Sequence, residues 1–463
     1  MTITLYGAAG DVTGSAYYIR TEQSSILLDF GIFQGGKAAE IKNRKFPPID
    51  IDRLDAVVLT HAHLDHCGRL PLLAKKNLRN PIYATPASID IAALILRDSV
   101  KIQNNDLEKL NRRLLRNGKP PVEPAFTENE VEEVIRLMKP LPYRQLVQVA
   151  PGIQVRAVEA GHILGSASIE MVVEENGMIK TVVFSGDLGS RGMPIVRDPE
   201  SFTMADMVFI ECTYGDRDHK PMKTTLDEFD SIIRETVGKG GKILIPSFAV
   251  GRTQDLLYYL DIAAHQGKLP RFPIYLDSPM AIDATKIYLN HPELFDEEMI
   301  ELSKGGQFQR DFDRIHATAS PEESKKINDV QGACMIIAGS GMCNAGRIQH
   351  HLRHNLWKPE TAVLIVGYQA EGTLGRKLVD GAKSVNIFGE RIAVRAQIHK
   401  LGGFSAHAGQ SDLLKWFNSL APCRPKVVLS HGEDKARIPL AKIIRERYGL
   451  NPILPVYGDS VEL

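Results

Sequence analysis

Three histidines and an aspartate fall within six residues, in HAHLDH at 61–66, directly behind the apolar run Val57–Leu59. The run reads as a buried strand. His61 and His63 are two apart, and alternate residues of extended backbone share a face. Asp65 and His66 follow where the chain should turn, so they reach a second point close by. Imidazoles and a carboxylate suit zinc and its neighbours. A polar loop with incidental histidines is the plainer explanation, but this density of ligands at a strand end argues against it. The stretch reads as half of a two-metal site whose remaining ligands come from far along the chain.

Three later loops repeat the design. His162 lies in AGHILGS after the strand pattern 152–159, Asp187 in FSGDLGS after 181–185, and His431 in VLSHG after a strand pattern at 426–430. Each alone is weak, because a glycine-flanked Asp or His is usually a turn. Together they complete a set. One metal would take His61, His63 and His162, the second Asp65, His66 and His431, with Asp187 between them. Four-coordinate zinc needs three or four protein ligands and a position for water. Two Zn2+ ions per chain are therefore expected, and the same donors accept Mn2+ or Fe. A hydroxide held between them would be the nucleophile, since metal binding lowers the pKa of water from about 15.7 toward about 7. The leaving alkoxide also needs a proton. His407, in FSAHAG, is a histidine outside the ligand set whose ordinary pKa suits neutral pH. Glu211, at the end of the apolar run MVFIE, is the carboxylate that would hold its tautomer. With Asp65 these two form the expected catalytic group. Asp29 closes the run Ser25–Phe30, either as a turn-former or as an orienting group behind a ligand.

The rest of the chain must position these groups. Its 463 residues suit two domains, with 43% hydrophobic and 24% charged content ordinary for a globular protein. The 56 basic and 56 acidic side chains cancel, which excludes bulk attraction to nucleic acid or membrane but permits a local basic groove. Five scattered cysteines without a CxxC pair fit buried thiols in a reducing cytosol. Neither a secretion signal nor an apolar run of membrane-spanning length is present.

Strand patterns fill residues 1–33. Helical patterns at 88–117, basic at its end over 109–119, and at 129–138 flank a Gly- and Pro-bearing loop at 118–121, and strands follow at 152–159, 167–174, 181–185 and 207–211. From 224 to 385 helix and strand alternate, the rhythm of a parallel α/β unit. Strands return from 387, with IAVRAQIHKL as one of them, and helices at 413–420 and 435–448. Two glycine-rich strand exits, SFAVGR at 247–252 and GSGMCNAGR at 339–347, match no nucleotide-binding fingerprint. They are tight strand–helix turns or backbone cradles for a phosphate.

HAHLDH, GHILGS and SGDLGS resemble the metal motifs of the metallo-β-lactamase fold, and Asp29 matches its first acidic motif. ECTYGD, FSAHAG and VLSHGE resemble the further motifs of the β-CASP branch, whose members process nucleic acids. SFAVGRTQDLLY, LDSPMA, GSGMCNAGRI and GYQAEGTLGR are similar to that branch's insert. The resemblance runs end to end. It implies an αββα metallo-β-lactamase sandwich at 1–212 and 387–463 with an inserted β-CASP α/β domain at 213–386. It further implies His407 as general acid, Glu211 as its partner and His431 on the second metal. A histidine in the last motif goes with the RNA-processing members, so the implied activity is metal-dependent cleavage of single-stranded RNA, leaving a 5′-phosphate and a 3′-hydroxyl. Ser340, Gly341, Met342, Arg252 and Ser405 are the expected substrate contacts, and a homodimer is one expected assembly. A DNA nuclease of the same family and a small-molecule metallo-hydrolase are the alternatives.

Overall fold

The computed structural model describes residues 1–35, 37–304 and 315–463. β1 (Thr2–Leu5), β2 (Tyr17–Arg20) and β3 (Ser25–Leu28) form an antiparallel meander, as short apolar runs joined by glycine-bearing turns should. β4 (Ala56–Val58), β5 (Ile82–Ala84) and β6 (Met138–Pro140) extend it in parallel from β3. Parallel neighbours need long crossovers. That between β5 and β6 carries the helix Pro86–Arg116, which Thr85 caps by accepting from the Ser88 N–H, with Pro86 at the first helical position.

A second sheet follows. β7 (Leu146–Ala150), β8 (Ile153–Glu159), β9 (Ala167–Glu175) and β10 (Met178–Phe184) run antiparallel, and β11 (Met207–Glu211) joins β10 in parallel. β12 (Lys242–Pro246), β13 (Ile274–Leu276), β14 (His316–Ala317), β15 (Cys334–Ala338) and β16 (Ala362–Ile365) belong to a third, parallel sheet. β17 (Ser384–Ile387) and β18 (Glu390–Ala393) make a separate hairpin, and β19 (Gln397–Lys400) adds to β16. β20 (Lys426–Ser430) then pairs with β11 in the second sheet, and β21 (Ser460–Glu462) with β1 in the first.

The chain divides into two compact units, one of residues 1–191, 198–218 and 407–463, the other of 192–197 and 219–406. In the first, the two sheets pack face to face. Ile3, Leu28 and Val58 from one meet Ile169, Phe184 and Phe209 from the other. The helices Gln410–Phe417 and Asp434–Tyr448 cover the outer face of the second sheet, burying Trp416, Phe417, Leu440 and Ile444 against Val208 and Ile210. Pro86–Arg116 packs beside β6. This is the αββα sandwich. In the second unit Leu244, Ile336 and Val363 of the parallel sheet share a core with Ile348 and Leu352 of the helix Ile348–Asn355.

Residues 387–406 group with the second compact unit. IAVRAQIHKL is not one strand: the Leu356 carbonyl accepts both the Arg395 and Ala396 N–H groups, which ends β18 and redirects the chain to β16. Apolar alternation announces a strand but not which sheet edge receives it. No helix among the described residues is long and apolar enough to cross a membrane.

Candidate metal centre

The candidate ligands converge within the first unit, at the ends of β4, β8, β10 and β20. β4 stops at Val58, and Leu64–Cys67 closes a single helical turn. His61 and His63 thus leave in extended backbone while Asp65 and His66 ride the turn. Gly31 lets this turn approach: a Cβ there would lie 1.6 Å from the Asp65 carbonyl oxygen.

Two clusters result. His61 Nε2 and His162 Nε2 lie 3.2 Å and 3.1 Å from His63 Nδ1, and Asp187 Oδ2 lies 3.6 Å and 3.7 Å from the first two. In the second, His66 Nε2 is 3.3 Å from His431 Nε2, which lies 3.7 Å from Asp65 Oδ2. Asp187 stands between: Oδ2 is 3.3 Å from His66 Nε2 and Oδ1 is 3.4 Å from His431 Nδ1. His61, His66, His162, Asp187 and His431 are all buried, and His63 and Asp65 are half-buried.

These side chains fit divalent cations better than they fit one another. Two imidazole nitrogens facing each other share at most one proton, and His63 Nδ1 faces two such partners. Among the described residues no lysine or arginine pairs with Asp29, Asp65, Asp187 or Glu211, and imidazoles are the basic side chains that face them. Asp187 Oδ1 is buried and accepts no hydrogen bond. Burial opposes charge on Asp187, yet His431, His66 and His61 hold its carboxyl well below the usual range. Burial pushes His61 well down, to the neutral form a metal binds. Burial also disfavours charge on His66, but Asp187 and Asp29 outweigh it and raise that imidazole well above its ordinary value. A proton on His66 thus occupies a place suited to a cation.

Asp29 sits behind the ligands. Its Oδ2 is 2.7 Å from His66 Nδ1 and accepts from the Thr60 hydroxyl at 2.8 Å, while Oδ1 accepts the Thr60 N–H at 2.8 Å. This orients His66 with Nε2 toward the cluster. Asp29 and His431 both have left-handed backbone, φ 57° and 47°. Such strain persists only where surroundings enforce it. The His431 N–H donates to the Ala8 carbonyl at 2.7 Å, and its own carbonyl accepts the Cys212 N–H at 3.1 Å.

Beside the cluster, His407 Nδ1 is 3.1 Å from Glu211 Oε1 and 3.9 Å from Asp187 Oδ2. His407 lies not at a strand exit but between the turn Gly402–Phe404 and the helix Gln410–Phe417. Glu211 is fixed by two backbone donors, Leu188 N–H on Oε1 and Thr213 N–H on Oε2, each at 3.0 Å. Burial opposes charge on His407, but Glu211 and then Asp187 and Asp65 raise it from 6.5 to about 9.

The expected substrate contacts belong to the second unit. Arg252 is buried, with its guanidinium on Asp255 at 2.9 Å, and Ser405 is buried. The Gly341 backbone lies against the Phe248 ring, where a Cβ would come within 2.5 Å. Ser340 is half-buried and bonded to the Ala345 carbonyl, and the Met342 carbonyl accepts the Gly375 N–H. Sequence reasoning passed over Thr60 and Thr213. Thr60 contacts Asp29, and Thr213 Oγ1 is 3.3 Å from His431 Nδ1. Their one signal is adjacency to the motifs, Thr60 before His61 and Thr213 two residues after Glu211.

Two sheets that gather five histidines and three aspartates at their strand ends make a metallo-hydrolase of the metallo-β-lactamase fold. Family models agree: the metallo-β-lactamase superfamily matches residues 9–87, the β-CASP domain 253–378, and a Zn-dependent metallo-hydrolase RNA specificity domain 391–455. The chain is 39% identical to "Ribonuclease TTHA0252" of Thermus thermophilus over the whole of both chains. It is 30% identical to "Transcription termination factor FttA" of Methanocaldococcus jannaschii, over all of this chain and 71% of that one. A solved protein of unknown function from Enterococcus faecalis V583 shares the fold, at a TM-score of 0.53 and 14% identity over 100% of this chain and 99% of that one. The chain belongs to the β-CASP ribonuclease branch of the metallo-β-lactamase superfamily.

Proposed function

We propose that the protein is a ribonuclease that hydrolyses phosphodiester bonds of single-stranded RNA with two divalent cations, zinc first among them. One observation carries the reading: seven candidate ligands from four distant segments close on each other around Asp187, with an eighth side chain, His407, set apart on its own carboxylate. His61, His63 and His162 would hold one ion, Asp65, His66 and His431 the other, with Asp187 shared. When bound, such ions lower the pKa of water and stabilise the charge that builds at phosphorus.

The remaining work falls to the chain. Glu211 holds His407 by Nδ1, so Nε2 is the atom that would give a proton to the leaving 3′ oxygen. The raised affinity of His407 for its proton keeps it in the acid form at neutral pH. Cleavage in that sense leaves a 3′-hydroxyl and a 5′-phosphate. RNA rather than DNA is supported by the names of the relatives and by the RNA specificity model over 391–455. Five unpaired thiols, four of them buried, suit a cytosolic setting.

The test is product analysis on unstructured RNA labelled at either end, with metal-loaded and chelator-treated protein and a matched DNA. Cutting of RNA that needs metal and yields 5′-phosphates supports the reading. Preference for DNA supports the family's DNA nucleases, and turnover of a thioester or lactam without RNA cleavage supports a small-molecule hydrolase.

A further inference from the structure

One face of the second unit carries aromatic rings that the fold does not use. The hairpin β17–β18 turns on Phe388 and Gly389, with φ 52° and 83°. Two-residue turns with both φ positive favour Asn-Gly, because a bulky Cβ is costly in left-handed backbone. Here the first position is phenylalanine, 56% exposed. It neither fills a core nor suits its turn.

The ring lies against His350, on the helix Ile348–Asn355, with centroids 4.6 Å apart. That helix runs along β18: Arg353 Nε meets Glu390 at 2.6 Å, and the Leu356 carbonyl accepts from Arg395 and Ala396. His350 and His354, four apart, share a stripe of the helix, and Trp357 follows in the turn just past its end. Trp357 is 51% exposed, with Lys358 Nζ 5.4 Å from its ring centroid, whereas Trp416, the chain's other tryptophan, is buried.

The charge here is one-sided. From Ile348 to Ala396 there are seven lysines and arginines against four acids, in a chain of zero net charge. Glu390 and Asp380 are already tied to Arg353 and Arg376. Among the described residues Lys383, Arg391 and Arg395 meet no carboxylate. An apolar protein partner would leave these cations unmatched. A nucleic-acid strand offers flat bases to the rings and phosphates to the cations.

We propose that the strip of Phe388, His350, His354 and Trp357, with its flanking lysines and arginines, is a stacking platform that holds single-stranded RNA outside the nucleotides being cut. It rests on the ribonuclease reading and adds a subsite to it. None of these residues lies in a metal motif.

The two tryptophans make the test direct. The full chain, held metal-free in chelator, is titrated with unstructured RNA of about 20 nucleotides while tryptophan fluorescence is followed. Quenching is expected in the wild type and lost in Trp357→Ala. Phe388→Asn puts a favoured residue into the turn, so its fold is secure. Each variant should bind the long RNA roughly tenfold more weakly, with a shallower salt dependence in Arg395→Ala. With metal restored, KM for that RNA should rise while kcat holds. Unchanged affinity in both ring variants, or quenching that survives Trp357→Ala, overturns the platform. So does a change in sedimenting mass without a change in RNA binding, which assigns the strip to contact between copies. A wild type that cuts no RNA when loaded with metal overturns the ribonuclease reading instead, and the fluorescence titration still decides the platform.

Discussion

Glu211→Gln separates the acid from the metals. The side chain keeps its size, but the new amide NH2 must face one of the donors that the carboxylate accepted, so the melting temperature is measured beside activity. What is lost is one negative charge 3.1 Å from His407 Nδ1. That charge and its hydrogen bond are the largest of the contributions that raise His407 to about 9 against the opposing effect of burial. Without them only Asp187 and Asp65 still favour the proton against burial, so the imidazole falls below that value. The general acid works only when protonated, so activity falls as pH rises through its pKa. At pH 8 the wild type keeps about 90% of the acid form, and the variant keeps less, so kcat falls there and the loss shrinks toward pH 6. The assay is kcat against pH on an end-labelled RNA, with bound metal measured alongside. The alkaline limb of the variant should move to lower pH at unchanged metal content. A limb that stays in place, or His407→Ala cutting with the wild-type profile, refutes the assignment of His407 as the acid.

Three further outcomes follow from the same geometry. Asp29→Asn leaves every ligand in place but removes the carboxylate that orients His66, so metal affinity, read by competition with a chromophoric chelator, should fall about 10- to 100-fold. Gly31→Ala forces a Cβ into the Asp65 carbonyl, and the displaced turn should lower both metal content and the melting temperature. Asp277, in the second unit, is fully buried and accepts from Arg347, His351, Ser324 and Thr318 at 2.6–2.7 Å. Burial opposes its charge, but these donors lower its carboxyl to about 2. A depressed acid stabilises fully above its unfolded value near 4, and that contribution is lost as pH falls toward 2. Asp277→Asn should therefore cost about 3–5 kcal/mol in denaturant unfolding at neutral pH and progressively less on acidification.

Much of the centre was legible in the chain because its chemistry is local. HAHLDH sets His61 and His63 by the alternation of extended backbone, and the glycines around His162 and Asp187 mark strand exits where a side chain can reach inward. The residue types needed for metal binding and proton transfer were therefore identifiable before any fold. Their convergence was not a local property. His66 Nε2 and His431 Nε2 stand 3.3 Å apart across 365 residues because β20 joins β11 and not another edge. Periodicity marks an apolar strand without choosing its neighbour, and only the fold shows that residues 387–406 group with the second compact unit. Burial was equally out of reach: only the fold shows that Arg252 is turned onto Asp255 and that Arg252 and Ser405 are both enclosed. Thr60 and Thr213 were invisible for a further reason. A hydroxyl carries no charge pattern along a sequence, and only the packed fold shows that each touches a residue of the centre, Thr60 at Asp29 and Thr213 at His431. The sequence by itself determined which atoms could bind and which could donate. The tertiary structure decided which of them meet, because sheet pairing and burial depend on residues far apart in the chain.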